Sequence, residues 1–250
     1  MPDRLDPDLV RRAANPRIIV GPGALARELG QLVGPWTLVT QAEPRALLRA
    51  DVLAPAGAIR DVDSLAATDL DRLVESLPRS TGVIVGLGGG MALDAAKWCA
   101  WRTGRPLLLA PGVVSVDAVV TNSVAVREAG GVVYRGFVVA EAIVLDPDFV
   151  RQAPARLNRA GVGDLVSIHT GLHDWRLGAA AGAIPFDDGI AAAAAAVLDR
   201  VEAFAPAIGG VTDAGLEGVL RAYAEVNALC LRAGHSGPEE GSEHYLGYRL

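Results

Sequence analysis

The stretch Val83-Ile84-Val85-Gly86-Leu87-Gly88-Gly89-Gly90 runs straight into Met91-Ala92-Leu93-Asp94-Ala95-Ala96-Lys97, and it constrains the fold more than any other. An apolar run of strand length ends in glycines and passes into a helical pattern with no linker. Four glycines in five positions weaken any regular element, because glycine loses the most backbone entropy on folding. One requirement that would justify them is a ligand that needs bare backbone at the carboxyl end of a strand. The next helix presents unpaired N–H groups and the positive end of its dipole there, as at a diphosphate site. The alternative is a glycine turn that only lets helix and strand pack closely. The spacing is neither the G-x-G-x-x-G fingerprint nor a P-loop.

The neighbouring pattern places this turn in a parallel sheet. "RIIVG", "WTLVT", "GVIVGLGGG", "PLLLAP" and "AIVLD" read as short buried strands. "GALARELGQLV", "DVDSLAATDLDRLVESL" and "MALDAAKWCAWRTG" read as helices between them, the last stopped by Gly104. Such alternation implies a parallel sheet covered on both faces. "GGVVYRGFVVAEAIVLD" predicts a β-hairpin or extended edge before the last strand. After Pro147 the signals turn helical: "GDLVSIHTGLHDWRLGAA", "DDGIAAAAAAVLDRVEAFAPAI" from an Asp cap, and "DAGLEGVLRAYAEVNALCLRAG" up to Gly234. The last carries Leu216, Val219, Leu220, Tyr223, Val226 and Cys230 on one stripe. The expected organisation is an α/β, Rossmann-like nucleotide-binding domain over 1–150 and an all-α metal and substrate domain over 151–250.

Composition narrows the function classes. A formal net charge of −6 argues against a nucleic-acid surface, which needs a basic stripe. The longest apolar run, "GIAAAAAAVL", is too short for a bilayer span, and the N-terminus has no apolar signal region. A cytoplasmic location is therefore expected. Cys99 and Cys230 lie in apolar helical stretches and read as buried thiols rather than a disulfide framework.

Four ordered segments resemble the sn-glycerol-1-phosphate dehydrogenases, in a superfamily with glycerol dehydrogenases, iron-containing alcohol dehydrogenases and 3-dehydroquinate synthases. Gly88, Gly89, Gly90, Asp94, Ala96 and Lys97 match a GGG-x-x-x-D-x-A-K segment. "PGVVSVDAVVTNSVAV" is similar to P-T-x-x-S-x-D-x-x-x-S. "GVGDLVSIHTGLHDWRL" and "GHSGPEEGSEHYLGYRL" are similar to two segments of the family's helical part. The resemblance runs from about Val20 to the end. It implies a dehydroquinate synthase-like fold, with NAD or NADP held between the halves by Gly88, Gly89, Gly90, Asp94, Gly112, Ser115 and Thr121. It also implies a divalent metal, zinc first and otherwise iron or nickel, on Asp164 and His244. Asp164 would bind metal beside the substrate, and Asp117 would hydrogen-bond a substrate hydroxyl. A metal would lower the pKa of that hydroxyl before hydride passes to the nicotinamide.

The implied activity is metal-dependent, NAD(P)-linked oxidation or reduction of a small polyol, its phosphate or a carbonyl compound. The family's third ligand, a His, follows further on, and this sequence stops at Leu250, so the metal site and the helical half are expected to be incomplete. His235, in a loop nine residues before His244, is one alternative for the missing ligand; His169 and His173, four apart, share a helix face that could chelate a metal, but they read first as a pair of polar or cleft-lining imidazoles. Met91, Gly112, Gly237 and Tyr248 depart from the glycerol-1-phosphate pattern, and the loss of Arg at 237 and His at 248 removes groups that a phosphate would want. "QAEP" after "WTLVT" offers Gln41 and Glu43 but no clear ribose-binding Asp. The alternatives are a sugar-phosphate cyclase that retains NAD, or a non-catalytic nucleotide-binding remnant. Exposed apolar surface on incomplete helices would favour a homo-oligomer.

Overall fold

The computed structural model of the protein describes residues 6–247; the substitution at Tyr248 lies outside them. In chain order the elements are α1 (Pro7–Ala14), β1 (Ile18–Val20), α2 (Ala24–Gly30), β2 (Trp36–Thr40), α3 (Ala42–Ala46), α4 (Ala50–Leu53) and β3 (Ala58–Asp61). There follow α5 (Ala67–Glu75), β4 (Val83–Gly88), α6 (Gly90–Thr103), β5 (Leu107–Pro111), β6 (Val124–Glu128), β7 (Gly131–Arg135) and β8 (Ala142–Leu145). The rest is helical: α7 (Pro147–Val150), α8 (Ala155–Ala180), α9 (Asp188–Gly209), α10 (Asp213–Ala233) and α11 (Ser242–Gly247).

The chain forms two compact units. One is Pro16–Asn158, and the other joins residues 6–15 to residues 159–247. The division falls inside α8, eight residues beyond the boundary at 150, and α1 joins the helical unit, where it packs on α10.

The α/β unit holds a six-stranded parallel sheet in the order β1-β8-β5-β4-β2-β3. Its central strands are apolar throughout because helices cover both faces. Residues 36–40 of β2 and 107–111 of β5 are all buried. Trp36, Leu38, Val85, Leu87, Leu108, Ala110 and Val144 fill one face against Leu25 and Leu29 of α2 and Phe149 of α7. The stretch "GGVVYRGFVV" supplies only β7, the second strand of an antiparallel hairpin whose first strand, β6, precedes it; Ala129 and Gly130 at positive φ make the turn.

The sheet's topology sets up a crevice. From β2 the chain moves outward to β3, whereas from β4 it crosses over α6 to β5 on the other side. The connections diverge between β2 and β4, and in open parallel sheets a ligand crevice forms at the carboxyl ends of strands that part in this way. The Thr40 hydroxyl donates to the Leu87 carbonyl at 2.8 Å, fixing the two strand ends side by side.

In the helical unit, α9 starts at Asp187, whose carboxylate accepts from the Ile190 N–H at 2.8 Å. The α10 helix starts at Thr212 and ends at Gly234 in the left-handed conformation. Leu216, Val219, Leu220, Tyr223 and Val226 are buried as the stripe predicts, and Cys230 is half-buried.

Candidate functional site

The four glycines of the turn do different jobs. A Cβ on Gly86 would stand 2.6 Å from Ala96 Cβ and 2.8 Å from a Leu109 methyl, so this glycine serves the packing of α6 on the sheet. Gly88 has φ +142°, a conformation that L side chains rarely adopt. A Cβ on Gly90 would be tight, 3.3 Å from Val116 Cγ2. Gly89 is the exception. Its φ of −81° suits any residue, and a Cβ there would meet nothing nearer than Val113 at 3.7 Å. The protein's own packing does not call for a glycine at 89, since a Cβ there would make only ordinary contacts with Val113 and Gln41. No side chain caps α6, so its first-turn N–H groups have no side-chain acceptor. Gln41, at the end of β2, closes the far side, with Oε1 3.6 Å from the position of a Cβ on Gly88.

The loop after β5 runs against the turn. Gly112 donates its N–H to the Gly88 carbonyl at 2.8 Å, and a Cβ on Gly112 would lie 3.2 Å from Gly88 Cα. A side chain at this position, the family's threonine included, would therefore press on the Gly88 backbone. Buried Asn158 fastens the same loop, accepting from the Val114 N–H at 3.1 Å and donating to the Val150 carbonyl at 3.1 Å. Ser115 is half-buried beyond it, and Asp117 opens a single 3₁₀ turn over Asp117–Val119.

Asp94 and Thr121 meet through Lys97. The Lys97 ammonium is buried and lies 2.7 Å from Asp94 Oδ1. It also donates to Thr121 Oγ1 at 3.0 Å, to the Thr121 carbonyl at 3.2 Å and to the Ser123 carbonyl at 2.7 Å. The other Asp94 oxygen accepts from the Ala125 N–H at 3.2 Å. In this structure Asp94 and Thr121 belong to a staple that ties α6 to the start of β6.

In the helical unit, α8 carries Asp164, and His244 of α11 comes to it. His244 Nε2 lies 3.6 Å from Asp164 Oδ1, and Nδ1 lies 2.8 Å from Glu243 Oε1. The Asp164 carboxylate, with help from Glu243 and Glu240 and against the cost of burial, pushes the imidazole up to about 9. The loop that delivers His244 is fitted closely to α8. A Cβ on Gly171 would come within 3.0 Å of the Gly237 carbonyl, and one on Gly241 within 2.8 Å of the Gly171 nitrogen. The Ser167 hydroxyl donates to the Glu239 carbonyl at 2.8 Å. Asp174 accepts from the Ser242 N–H at 2.6 Å, which holds its carboxyl below the usual range.

His235 is fixed elsewhere. Its Nδ1 accepts from the Gly237 N–H at 3.0 Å, its ring stands edge-on to Trp175, and burial lowers its pKa. A Cβ on Gly237 would meet this ring at 2.7 Å, which accounts for the glycine where the family pattern has Arg. His169 and His173 are exposed on α8. Among the described residues, no group of three or more His, Cys, Asp and Glu side chains is placed to hold a metal ion. Asp164 and His244 are two suitable donors, an incomplete site for a catalytic ion. The glycine turn fits a dinucleotide better, since bare backbone and uncapped N–H groups are what a diphosphate needs.

Sequence reasoning missed Asn158 and the ties made by Lys97, because a buried polar residue inside a helical pattern leaves no periodic signal. It also missed β3 with its Asp61, as "AIRD" is too short and too polar to read as a strand.

The iron-containing alcohol dehydrogenase family model matches residues 44–154. Glycerol-1-phosphate dehydrogenase [NAD(P)+] from Aeropyrum pernix is 31% identical over 192 residues, 77% of this chain and 54% of that protein. The enzyme of the same name from Methanothrix thermoacetophila is 27% identical over 94% of this chain and 70% of its own. The crystal structure of glycerol dehydrogenase from Schizosaccharomyces pombe superposes with a TM-score of 0.64 at 19% identity, covering 90% of this chain and 61% of that one. The chain is thus similar to the iron-containing alcohol dehydrogenases and to glycerol-1-phosphate dehydrogenases, and it shares the fold of the solved glycerol dehydrogenase. It spans about half the length of the first curated relatives it matches. No helix among the described residues is long and apolar enough to cross a membrane.

Proposed function

We propose that the protein is an NAD(P)-linked dehydrogenase of a small polyol or polyol phosphate, of the glycerol-1-phosphate dehydrogenase kind. Gly89 carries the reading, because neither its φ nor its surroundings require glycine and it stands at the uncapped start of α6. The cofactor's diphosphate would lie on the N–H groups of Gly90 and Met91, with Gly112 and Ser115 along the second wall. Asp164 and His244 are the two donors this chain would offer a divalent ion, and Asp117 would accept a hydrogen bond from a substrate hydroxyl. When bound, the nicotinamide accepts hydride and the ion polarises the substrate oxygen. The charged groups next to His244 are carboxylates, Asp164, Glu240 and Glu243, which favours a neutral polyol over its phosphate at that end.

The test is calorimetric titration of the chain with NAD and with NADP, followed by assays on glycerol 1-phosphate and neutral polyols with added zinc. Dinucleotide binding at micromolar concentration and zinc-dependent reduction of cofactor, lost in Asp164→Asn, are expected. A folded chain that binds neither dinucleotide overturns the reading. Cofactor that copurifies and returns unchanged would point to a cyclase.

A further inference from the structure

The chain has four histidines, and two of them are held in place. His235 accepts from the Gly237 N–H, and His244 lies between Asp164 and Glu243. His169 and His173 differ from these. Both stand on the uninterrupted helix α8, four residues apart, and both are exposed. Among the described residues, no hydrogen bond or ion pair engages either ring. Residues four apart on a helix lie one above the other, with about 5–6 Å between Cβ atoms. Two imidazoles at that spacing reach one ion from the same face, as the histidines of an H-E-x-x-H helix do.

This face of α8 is not the one that carries Asp164. His173 follows Asp164 by nine residues, about two and a half turns, which sets it on the opposite side of the helix. Asp164, Ser167, Gly171 and Asp174 form the side against the loop of residues 237–242. Leu165, Ile168, Leu172 and Trp175 form the buried side. The stripe with the two histidines otherwise carries Val166 and Leu177, 47% and 57% exposed, which bring no donor of their own. The neighbouring charges have partners elsewhere. The Asp174 carboxylate accepts from the Ser242 N–H, and the Arg176 guanidinium lies over the Phe186 ring, 5.6 Å from its centroid.

We propose that His169 and His173 form a metal site of their own, a surface clamp for a divalent transition ion of the zinc, nickel or copper kind. Neutral imidazole suits these ions, whereas magnesium and calcium take oxygen donors. Two donors hold an ion without closing its coordination shell, which suits a structural clamp and not a catalytic centre. Once one ring has bound, the other stands at high effective concentration, so the pair binds far more tightly than a single histidine. The bound ion ties two successive turns of α8 together and stabilises the helix that carries Asp164. The clamp does not depend on the dinucleotide reading of the glycine turn.

The experiment is calorimetric titration of the full chain with zinc, nickel and magnesium chloride at neutral pH in a buffer free of chelators. It is run on Asp164→Asn, which weakens the pair formed with His244, and on the same chain with His169→Ala or His173→Ala added. Zinc and nickel are expected to bind Asp164→Asn at about one ion per chain, and magnesium is expected to give no signal. Either alanine should weaken zinc at least about 10-fold. Both positions are exposed and alanine favours helix, so the fold is kept. Zinc should also raise the thermal midpoint of Asp164→Asn, and either alanine should abolish that rise. In NMR spectra the ring signals of His169 and His173 should move together and saturate at one equivalent of zinc, while those of His235 stay in place. Zinc binding that both alanine variants leave unchanged, or ring signals that move for only one of the two histidines, overturns the clamp. Failure of Asp164→Asn to bind zinc overturns it as well, and leaves the dehydrogenase reading standing.

Discussion

Single glycines in this protein separate packing from binding. Gly86 has no space for a methyl group, whereas one on Gly89 would make only ordinary contacts. Gly86→Ala is therefore expected to destabilise the α/β unit by about 1–3 kcal/mol through overpacking. Gly89→Ala is expected to change stability by less than about 1 kcal/mol. Its methyl group would still stand where the diphosphate approaches, so NAD binding should fall at least about 10-fold. Urea denaturation and calorimetry on the two variants check this, and equal effects on stability would remove the distinction. The sequence showed that bare backbone was needed here but not which glycine served which need. That depends on where Ala96, Leu109 and Val113 stand, and no spacing rule encodes those tertiary positions. Asp94 and Thr121 illustrate the same gap: the motif flags both, and the structure joins them through a buried ammonium.

At the scale of elements, α6 and α8 are the two platforms. The α6 platform is held by the Asp94–Lys97 pair, whose side chains are 7% and 1% exposed. Lys97→Met leaves a buried carboxylate uncompensated and is expected to cost about 3–5 kcal/mol. Asp94→Leu/Lys97→Met should recover only part of that, since the Thr121 and Ser123 carbonyls and the Ala125 N–H lose their partners. Denaturant midpoints of the three proteins measure it. On α8, Gly171→Ala pushes against the backbone of residues 237–239 and is expected to lift the loop that carries His244. The His244 ring signals in an NMR spectrum should then move toward solvent-exposed values while the helical circular dichroism stays unchanged. The strongly periodic elements were legible: β2, β4, β5, β8, α6, α9 and α10 stand close to where apolar runs and capping residues put them. The short ones were not. The strand β3 draws its stability from pairing with β2 rather than from its own residues, and α3 and α4 are single turns. Two of those unread elements, α3 and β3, bring Glu43 and Asp61 to one cavity with Gln41 and Met91, a grouping that no spacing in the sequence shows.

At the scale of the whole molecule, each compact unit carries one cysteine, and the two thiols differ in accessibility. Cys99 sits in α6 with no exposure, and burial pushes its pKa up to about 12. Cys230 sits in α10, half-buried, with its sulfur 3.7 Å from Glu239 Oε2. Only the thiolate reacts, so a group raised so far above neutrality and closed to solvent is inert until its surroundings open. At pH 8 a thiol reagent is expected to label Cys230 in the native protein within minutes and Cys99 only through unfolding of the α/β unit. Rising urea should accelerate the Cys99 reaction steeply, following the unfolding of the sheet, and affect Cys230 much less below the transition. Each thiol lies within one unit and reports the opening of its own surroundings. A Cys99 reaction that tracks loss of sheet structure while the helical unit remains folded would show that the α/β unit opens independently. NAD added to such an experiment should slow Cys99 labelling in proportion to its binding, because a ligand of the folded form lowers the population of the open one. It would leave Cys230 unchanged where the units unfold separately, and it would slow both where they unfold together.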